Sequence, residues 1–338
     1  MGTPAAGTST EIIEPAGLVS VGTCVTSDVD EQARLLKEWS QQYNQISPGA
    51  FTGSLSQVCF DGINLFHEQT NQRVHQEGVA WTNSLTIAMP MAASDLLRWR
   101  GTNVEVGRIA CLYSEDDIDL YTPQLCDLCA VTVDLQDFST FAAQIDNFDL
   151  GKLQRAALLN SSTEMQSSFK SFMQVAMQTA INDPSKLHHP QVQKAMREAL
   201  YAKLVDVLDE QDHHQSIELV PQKTSLVAKA RAYLFEHRDE VISVADICRT
   251  LGVSRRSLQY AFQEVLGMNP VAYLRALRLN GVRRELKFAT PTTSVLDVAA
   301  RWGFWHPSHF SADYKQLFGE LPSTTLRRFA PQLIIGSN

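Results

Sequence analysis

Arg256, Gln259 and Tyr260 in the stretch LGVSRRSLQYAFQEVLG, residues 251–267, stand at spacings i, i+3 and i+4. On a helix such a spacing gathers three side chains into one outward stripe. An arginine fork bonds guanine bidentately, a glutamine bonds adenine, and a tyrosine offers a hydroxyl on a flat apolar ring, so the stripe suits base edges in a major groove. Leu258 and Phe262 take the opposite, inward face, Ser254 stands where an N-cap is needed, and Arg255 is left outside beside the stripe.

A helix of this kind has to be held by others, and the sequence around it repeats. VADICRTLG (residues 244–252) aligns with VLDVAARWG (residues 295–303) in its apolar positions, with Asp246 and Asp297 near the two helix starts. One residue is inserted in the second turn; past it Ser254 meets His306, Leu258 meets Phe310, Phe262 meets Tyr314, Gly267 meets Gly319 and Pro270 meets Pro322. Each copy reads as a short helix, a glycine-containing turn and a second helix, the helix-turn-helix arrangement. Between them NPVAYLRALRLNGVRRELKF is expected to be one long helix opened by Pro270, with Val271, Leu274, Leu277 and Val282 as anchors. Its Arg275, Arg278, Arg283 and Arg284 are available for phosphates or for structural pairs with acids. A further helix over LVAKARAYLFEHRDE precedes the first copy, with Val227, Ala230, Leu234 and Phe235 inward. A single such stripe would pass for a solvated helix face; two copies in register in a basic region argue for nucleic acid.

The charge is divided. Residues 221–338 hold 16 Lys and Arg against 9 Asp and Glu, net +7, whereas residues 1–220 hold 13 against 28, net −15, within a chain of net charge −8. The basic third suits a polyanion, and the acidic remainder calls for another task. With 44% apolar and 20% charged residues among 338, the chain has the composition of a soluble globular protein with room for two domains. No apolar run approaches the ~20 residues that cross a bilayer, and LTIAMPMAA (residues 85–93) is broken by Pro90. The first residues lack the basic and apolar regions of a signal peptide, so 1–17 reads as a flexible tail and the cytoplasm as the default compartment.

From 18 to about 135, short β-rich runs alternate with turn residues, as in SLSQVCFDGINLFHE and LCAVTVDL, the pattern of a small barrel or two-sheet sandwich. One helix is expected to interrupt it at about 28–45, capped by Asp28, with Leu35, Leu36, Trp39 and Tyr43 on one face. From about 146 to 208 the period is helical. Phe169, Phe172, Met173, Ala176, Met177 and Ala180 share one face, and Val192, Met196, Ala199, Leu200, Leu204 and Val207 another. These stripes need cover from the β-domain, from a second subunit, or from both. The domains are therefore expected at 18–208 and 224–330, with 209–223 as linker.

Other constellations carry less. Cys126 and Cys129 have CxxC spacing but abut a strand-like run with no second pair, so structural thiols outweigh redox sensing or metal. His67, His75 and Glu77 stand in a β-rich segment without the His-x-His of metal-binding barrels, and read as surface or pocket lining. His188, His189, His213 and His214 fall in loop-like stretches, and no phosphate loop, Gly-x-Ser-x-Gly or His-Glu-x-x-His occurs, so no enzymatic function, cofactor or metal is expected.

The two repeats with their connector resemble the AraC/XylS family of bacterial transcription regulators over residues 225–328, and GFWH, SADYKQLFGELPS and RLNGVRREL are most similar to its ethanolamine-operon type. The resemblance implies an α+β protein. An N-terminal cupin-like barrel or sandwich with two dimerisation helices would precede an all-α domain of two helix-turn-helix units. It implies a homodimer on double-stranded promoter DNA, usually activating RNA polymerase under a small-molecule effector, with ethanolamine and adenosylcobalamin as one candidate. By position it makes Arg256, Gln259, Tyr260, Pro307, Ser308 and Ala312 the base-reading residues, and Arg255, Arg284, Ser311 and Lys315 the backbone contacts. Ala312 and His306 depart from the pattern, where relatives carry a polar or basic residue and a Ser or Asp cap. This favours apolar or phosphate contact in the second unit over hydrogen-bonded readout. A metal enzyme with a DNA-binding appendage, with His67 and His75 as ligands, and a regulator governed by protein partners alone are the other two readings.

Overall fold

The computed structural model describes residues 19–114, 116–145, 148, 150, 156–212, 222–237, 240–290 and 292–329. The expected tail over 1–17 and the centre of the expected linker, 213–221, with His213 and His214, lie outside the described residues. The chain divides into two compact units, Met1–Tyr43 with Thr52–Glu218, and Asn44–Phe51 with Leu219–Asn338.

The first unit is a β-sandwich with helices. Its strands are β1 (Val19–Thr26), β2 (Ser40–Gln45), β3 (Gly53–Phe60), β4 (Ile63–Thr70), β5 (Val74–Val79), β6 (Ser84–Ala93), β7 (Leu97–Trp99), β8 (Thr102–Val104), β9 (Ala110–Tyr113), β10 (Asp117–Tyr121) and β11 (Cys126–Asp134). Six form one sheet in the order β1-β3-β4-β11-β6-β9, and five the other in the order β2-β5-β10-β7-β8. Pro90, which cannot donate to a ladder, lies opposite Leu128 where the β11–β6 register shifts, so the strand tolerates it. The helix expected over 28–45 is cut short. Asp28 does cap it, accepting from the backbone of Asp30 and Glu31, but the helix α1 ends at Leu35 (Val29–Leu35). Leu36 is extended, Glu38 takes a φ of 69°, and residues 40–45 join a sheet instead, where period 2 turns Tyr43 inward.

Helices α2 (Leu135–Ala142), α3 (Thr163–Asn182) and α4 (Pro190–Asp212) follow, with a single 3₁₀ turn at Pro184–His188 between the last two. Phe169, Met173, Met177, Leu200, Leu204 and Val207 share one core with Val58, Ile87, Met89 and Val131 of the sheet, so the sandwich itself covers both stripes. Each such side chain contributes about 1.5–3 kcal/mol relative to exposure. Val192 and Ala199, expected on the same face, are exposed, because the inward arc of α4 is narrower than its apolar pattern.

The second unit is helical: α5 (Gln222–Glu236), α6 (Val244–Leu251), α7 (Arg255–Leu266), α8 (Pro270–Lys287), α9 (Val295–Arg301), α10 (Pro307–Phe318) and α11 (Pro322–Phe329). Ser243 and Asp246 form a reciprocal capping box on α6, whose bonds hold the Asp246 carboxyl below the usual range. Ser254, Asn269 and Ser294 cap α7, α8 and α9, and Gly252 and Gly267 end α6 and α7 in the left-handed region. In α5, Val227 and Ala230 are buried and Leu234 half-buried, while the side chain of Phe235 lies outside the described residues. Residues 44–51 belong to this unit, and Asn280 of α8 pairs with both backbone groups of Gln45, at 3.1 and 2.9 Å.

Candidate nucleic-acid interface

The inserted residue of the second copy leaves the inward positions aligned. Leu258 and Phe262 on α7 are fully buried, as are Phe310 and Tyr314 on α10. Tyr314 bonds Thr325 at 2.8 Å, and burial pushes its phenol up to about 12. With those faces committed to the core, the opposite faces of α7 and α10 are bare: Arg255, Arg256, Gln259 and Tyr260 on one, Pro307, Ser308, Ala312 and Lys315 on the other, with Ser311 half-buried at the edge.

On α7 the stripe is organised before any ligand arrives. The Arg256 guanidinium donates to the Tyr260 hydroxyl at 3.3 Å and lies 5.4 Å from the centre of its ring, while Tyr260 remains 56% exposed. The pair restricts a long side chain and leaves its remaining donors outward. On α10 the first turn has no side-chain cap; His306 bonds Ser308 at 3.0 Å instead, and Pro307 occupies the first position, where its missing N–H costs nothing. Among the described residues Arg255 and Lys315 make no ion pair, so both charges are available to phosphates.

The connector α8 divides its arginines. Arg283, buried, pairs with Glu320 at 2.7 Å under the Phe318 ring, Arg278 donates to the Ile242 carbonyl at 2.5 Å, and Arg275 faces Asp313 at 3.5 Å. Arg284, expected on the phosphate backbone, is half-buried and donates to Asn44 at 2.8 Å. Leu274 and Val282 are buried anchors and Leu277 is half-buried, but Val271 is exposed, because the first turn of α8 meets neither repeat on that side. Two residues carry structure that spacing did not reveal. Gly281 lets the Trp302 ring lie directly on α8, where a Cβ would come within 2.2 Å of it, and Glu285 fixes that indole at 2.8 Å while pairing with Arg301. Trp305 is 86% exposed at the entry to α10; a large apolar residue just before a helix start was the available signal.

The other candidates resolve into structure. His67 pairs with Asp127 on the six-stranded sheet, whereas His75, on the five-stranded sheet, stacks on Tyr121 at 4.1 Å. Glu77 faces Gln42 at 3.5 Å. No group of three or more His, Cys, Asp or Glu among the described residues is arranged to hold a metal. Cys126 and Cys129 are both buried and unbridged, and they belong to different core clusters because an odd spacing on a strand sends side chains to opposite faces. Burial raises both thiols, Cys129 to about 12, which opposes thiolate chemistry. His188 and His189 are exposed. No helix among the described residues is long and apolar enough to cross a membrane.

Two helix-turn-helix units sharing one connector helix, each with a bare second-helix face, define a double helix-turn-helix DNA-binding domain. A helix-turn-helix domain family matches residues 247–328. The chain is 37% identical over 140 residues to a probable thc operon regulatory protein of Rhodococcus erythropolis, covering 41% of this chain and 42% of that one. It is 29% identical over 140 residues to a XylDLEGF operon transcriptional activator of Pseudomonas putida, covering 41% of each. A solved structure of a probable AraC family transcriptional regulator from Rhodopseudomonas palustris is 33% identical, over 32% of this chain and 99% of that one, with a TM-score of 0.30. Residues 247–328 of this protein are thus a helix-turn-helix domain, similar to those of the operon regulators named above. The chain spans less than half the length of these two curated relatives.

Proposed function

We propose that the protein is a sequence-specific transcription regulator, acting as an activator at promoters, whose β-sandwich senses a small molecule. The observation that carries the reading is the pair of bare helix faces on α7 and α10, held on one connector in the basic third of the chain. Arg256, Gln259 and Tyr260 read bases under the first unit; Pro307, Ser308 and Ala312 make apolar or weak polar contact under the second, with Arg255, Ser311 and Lys315 on phosphates. Arg284 reaches phosphate only by leaving Asn44. The names of the relatives support regulation over catalysis, and a homodimer through the first unit, contact with RNA polymerase and a cytoplasmic location belong to the same reading. The likeness to ethanolamine-operon regulators lies in the DNA-binding part and carries no effector into the sandwich.

The test is equilibrium binding of the full chain to a pool of duplex DNA at increasing salt. With 6–10 phosphate contacts, affinity should fall by about 10³–10⁵ between 50 and 200 mM salt; a flat dependence would remove the nucleic-acid reading. Trp305→Ala should weaken the complex by about 1–2 kcal/mol, as expected if roughly 40–80 Å² of the indole is buried at ~25 cal/mol per Å². Unchanged affinity in the same assay would place Trp305 outside the interface.

A further inference from the structure

The sandwich holds a cavity of about 60 Å³ between its two sheets, well below the ~150 Å³ of a cavity that takes up benzene, so an occupant is smaller than benzene or spreads the walls. Its walls are apolar and aromatic, with Trp39, Phe66, Trp99 and Leu128 among them, and one carboxyl group, Glu68, stands on the wall. Glu68 is 3% exposed. It reaches that place because β4 alternates, so that the strand turning Phe66 inward turns Glu68 inward as well.

Three neutral groups serve the carboxylate: Gln32 Nε2 at 3.0 Å, Gln76 Nε2 at 3.0 Å, and the Tyr43 hydroxyl at 3.0 and 3.3 Å from its two oxygens. All are donors and none is a cation. Burial still outweighs the three bonds and raises the Glu68 carboxyl above the usual carboxylate range. A buried carboxylate with hydrogen bonds but no counter-charge is costly, and a cation placed beside it recovers much of that cost. A second observation concerns Trp39, whose ring stands edge-on to Phe66 at 5.7 Å and whose buried Nε1 has no hydrogen-bond partner among the described residues. An indole N–H left this way is an open donor on the cavity wall.

We infer that the cavity takes a small amphiphilic amine, its protonated nitrogen against Glu68 and its hydrocarbon part among Trp39, Phe66 and Trp99. The inference rests on the sensing role proposed for the sandwich and deepens it by naming the ligand class. Indole and phenyl faces attract a cation that their apolar surroundings have desolvated. An anion would meet Glu68 as a like charge between apolar walls. A neutral molecule of the same shape gains only the apolar contacts, and an oxygen acceptor on the ligand would in addition satisfy Trp39.

The experiment is a binding titration of the full chain followed by tryptophan fluorescence, since Trp39 and Trp99 line the cavity. Two matched series serve as probes: n-propylamine, 1-propanol and propanoate, and n-butylamine, 1-butanol and butanoate. Saturable binding of an amine, about tenfold or more tighter than its alcohol and its carboxylate, is expected. In Glu68→Gln, which keeps the shape, the amine should bind no better than its alcohol. The inference is overturned if a carboxylate binds as tightly as its amine, if alcohol and amine bind alike, or if Glu68→Gln keeps the preference; in each case a sensing cavity for another ligand class remains. If none of the six probes binds, the inference is overturned, while the sensing role is decided separately by whether any compound of a broad small-molecule set raises the thermal unfolding temperature of the full chain.

Discussion

Arg256→Ala is expected to weaken the protein's complex with its cognate duplex by about 1–3 kcal/mol, roughly 5- to 150-fold, and to relax preference at one base pair. The expectation follows from how the residue is held. The opposite face of α7 is locked by Leu258 and Phe262, and the 3.3 Å bond to Tyr260 limits the rotamers of Arg256, so little freedom remains to be lost on binding. Arg255 is the internal control, since it is exposed one residue away but off the stripe. Arg255→Ala should weaken all sequences about equally and reduce the salt slope by about one. If the two substitutions behave alike in competition binding across single-base variants, Arg256 reads no base.

Gly281→Ala is expected to destabilise the helical unit, although alanine is ordinarily favoured over glycine inside a helix by about 1 kcal/mol. The sign reverses because the new Cβ would lie within 2.2–2.5 Å of three atoms of the Trp302 ring, whose indole is held in place by Glu285. Relief requires the ring, and with it the start of the second turn, to move away from α8. Overpacking of this kind costs about 1–3 kcal/mol. Urea denaturation should show the loss. The double variant Gly281→Ala with Trp302→Ala should be less destabilised than the sum of its parts, because the clash is gone. Equal or greater stability of the single variant would mean that α8 and Trp302 are not in contact.

The helix-turn-helix third of the chain was legible because its information is local. A helix-turn-helix is specified by caps, a glycine and an i, i+4 apolar pair within about twenty residues, and a second copy in register makes the pattern hard to mistake. What escaped is set by long-range packing. Arg284 and Arg283 differ in environment only through Asn44 and Glu320, distant in sequence, and nothing in RLNGVRREL reveals which arginine is taken. Gly281 reads as a weak helix residue until Trp302 is placed on it.

In the sandwich the apolar period of Leu35, Leu36, Trp39 and Tyr43 fits a helix. Yet a strand was also compatible with SQQYNQ, and the bond from Tyr43 to Glu68 depends on the strand. Glu68 itself lies beside His67, in a segment rich in polar residues that hides a single inward acid. The alternation of Phe66 and Glu68 on β4 was the signal for an inward acid.

The central claim is that two unequal helices on one rigid connector read duplex DNA. Its most direct test is selection of bound duplexes by the full chain from a fully randomised library, followed by sequencing. Two enriched boxes are predicted, with centres about one helical turn (~34 Å) apart, the box under α7 strongly constrained and the box under α10 tolerant, since Ala312 offers no hydrogen bond and Pro307 no N–H. A single box, equal constraint in both boxes, or a bound pool no different in sequence from the input would contradict the account.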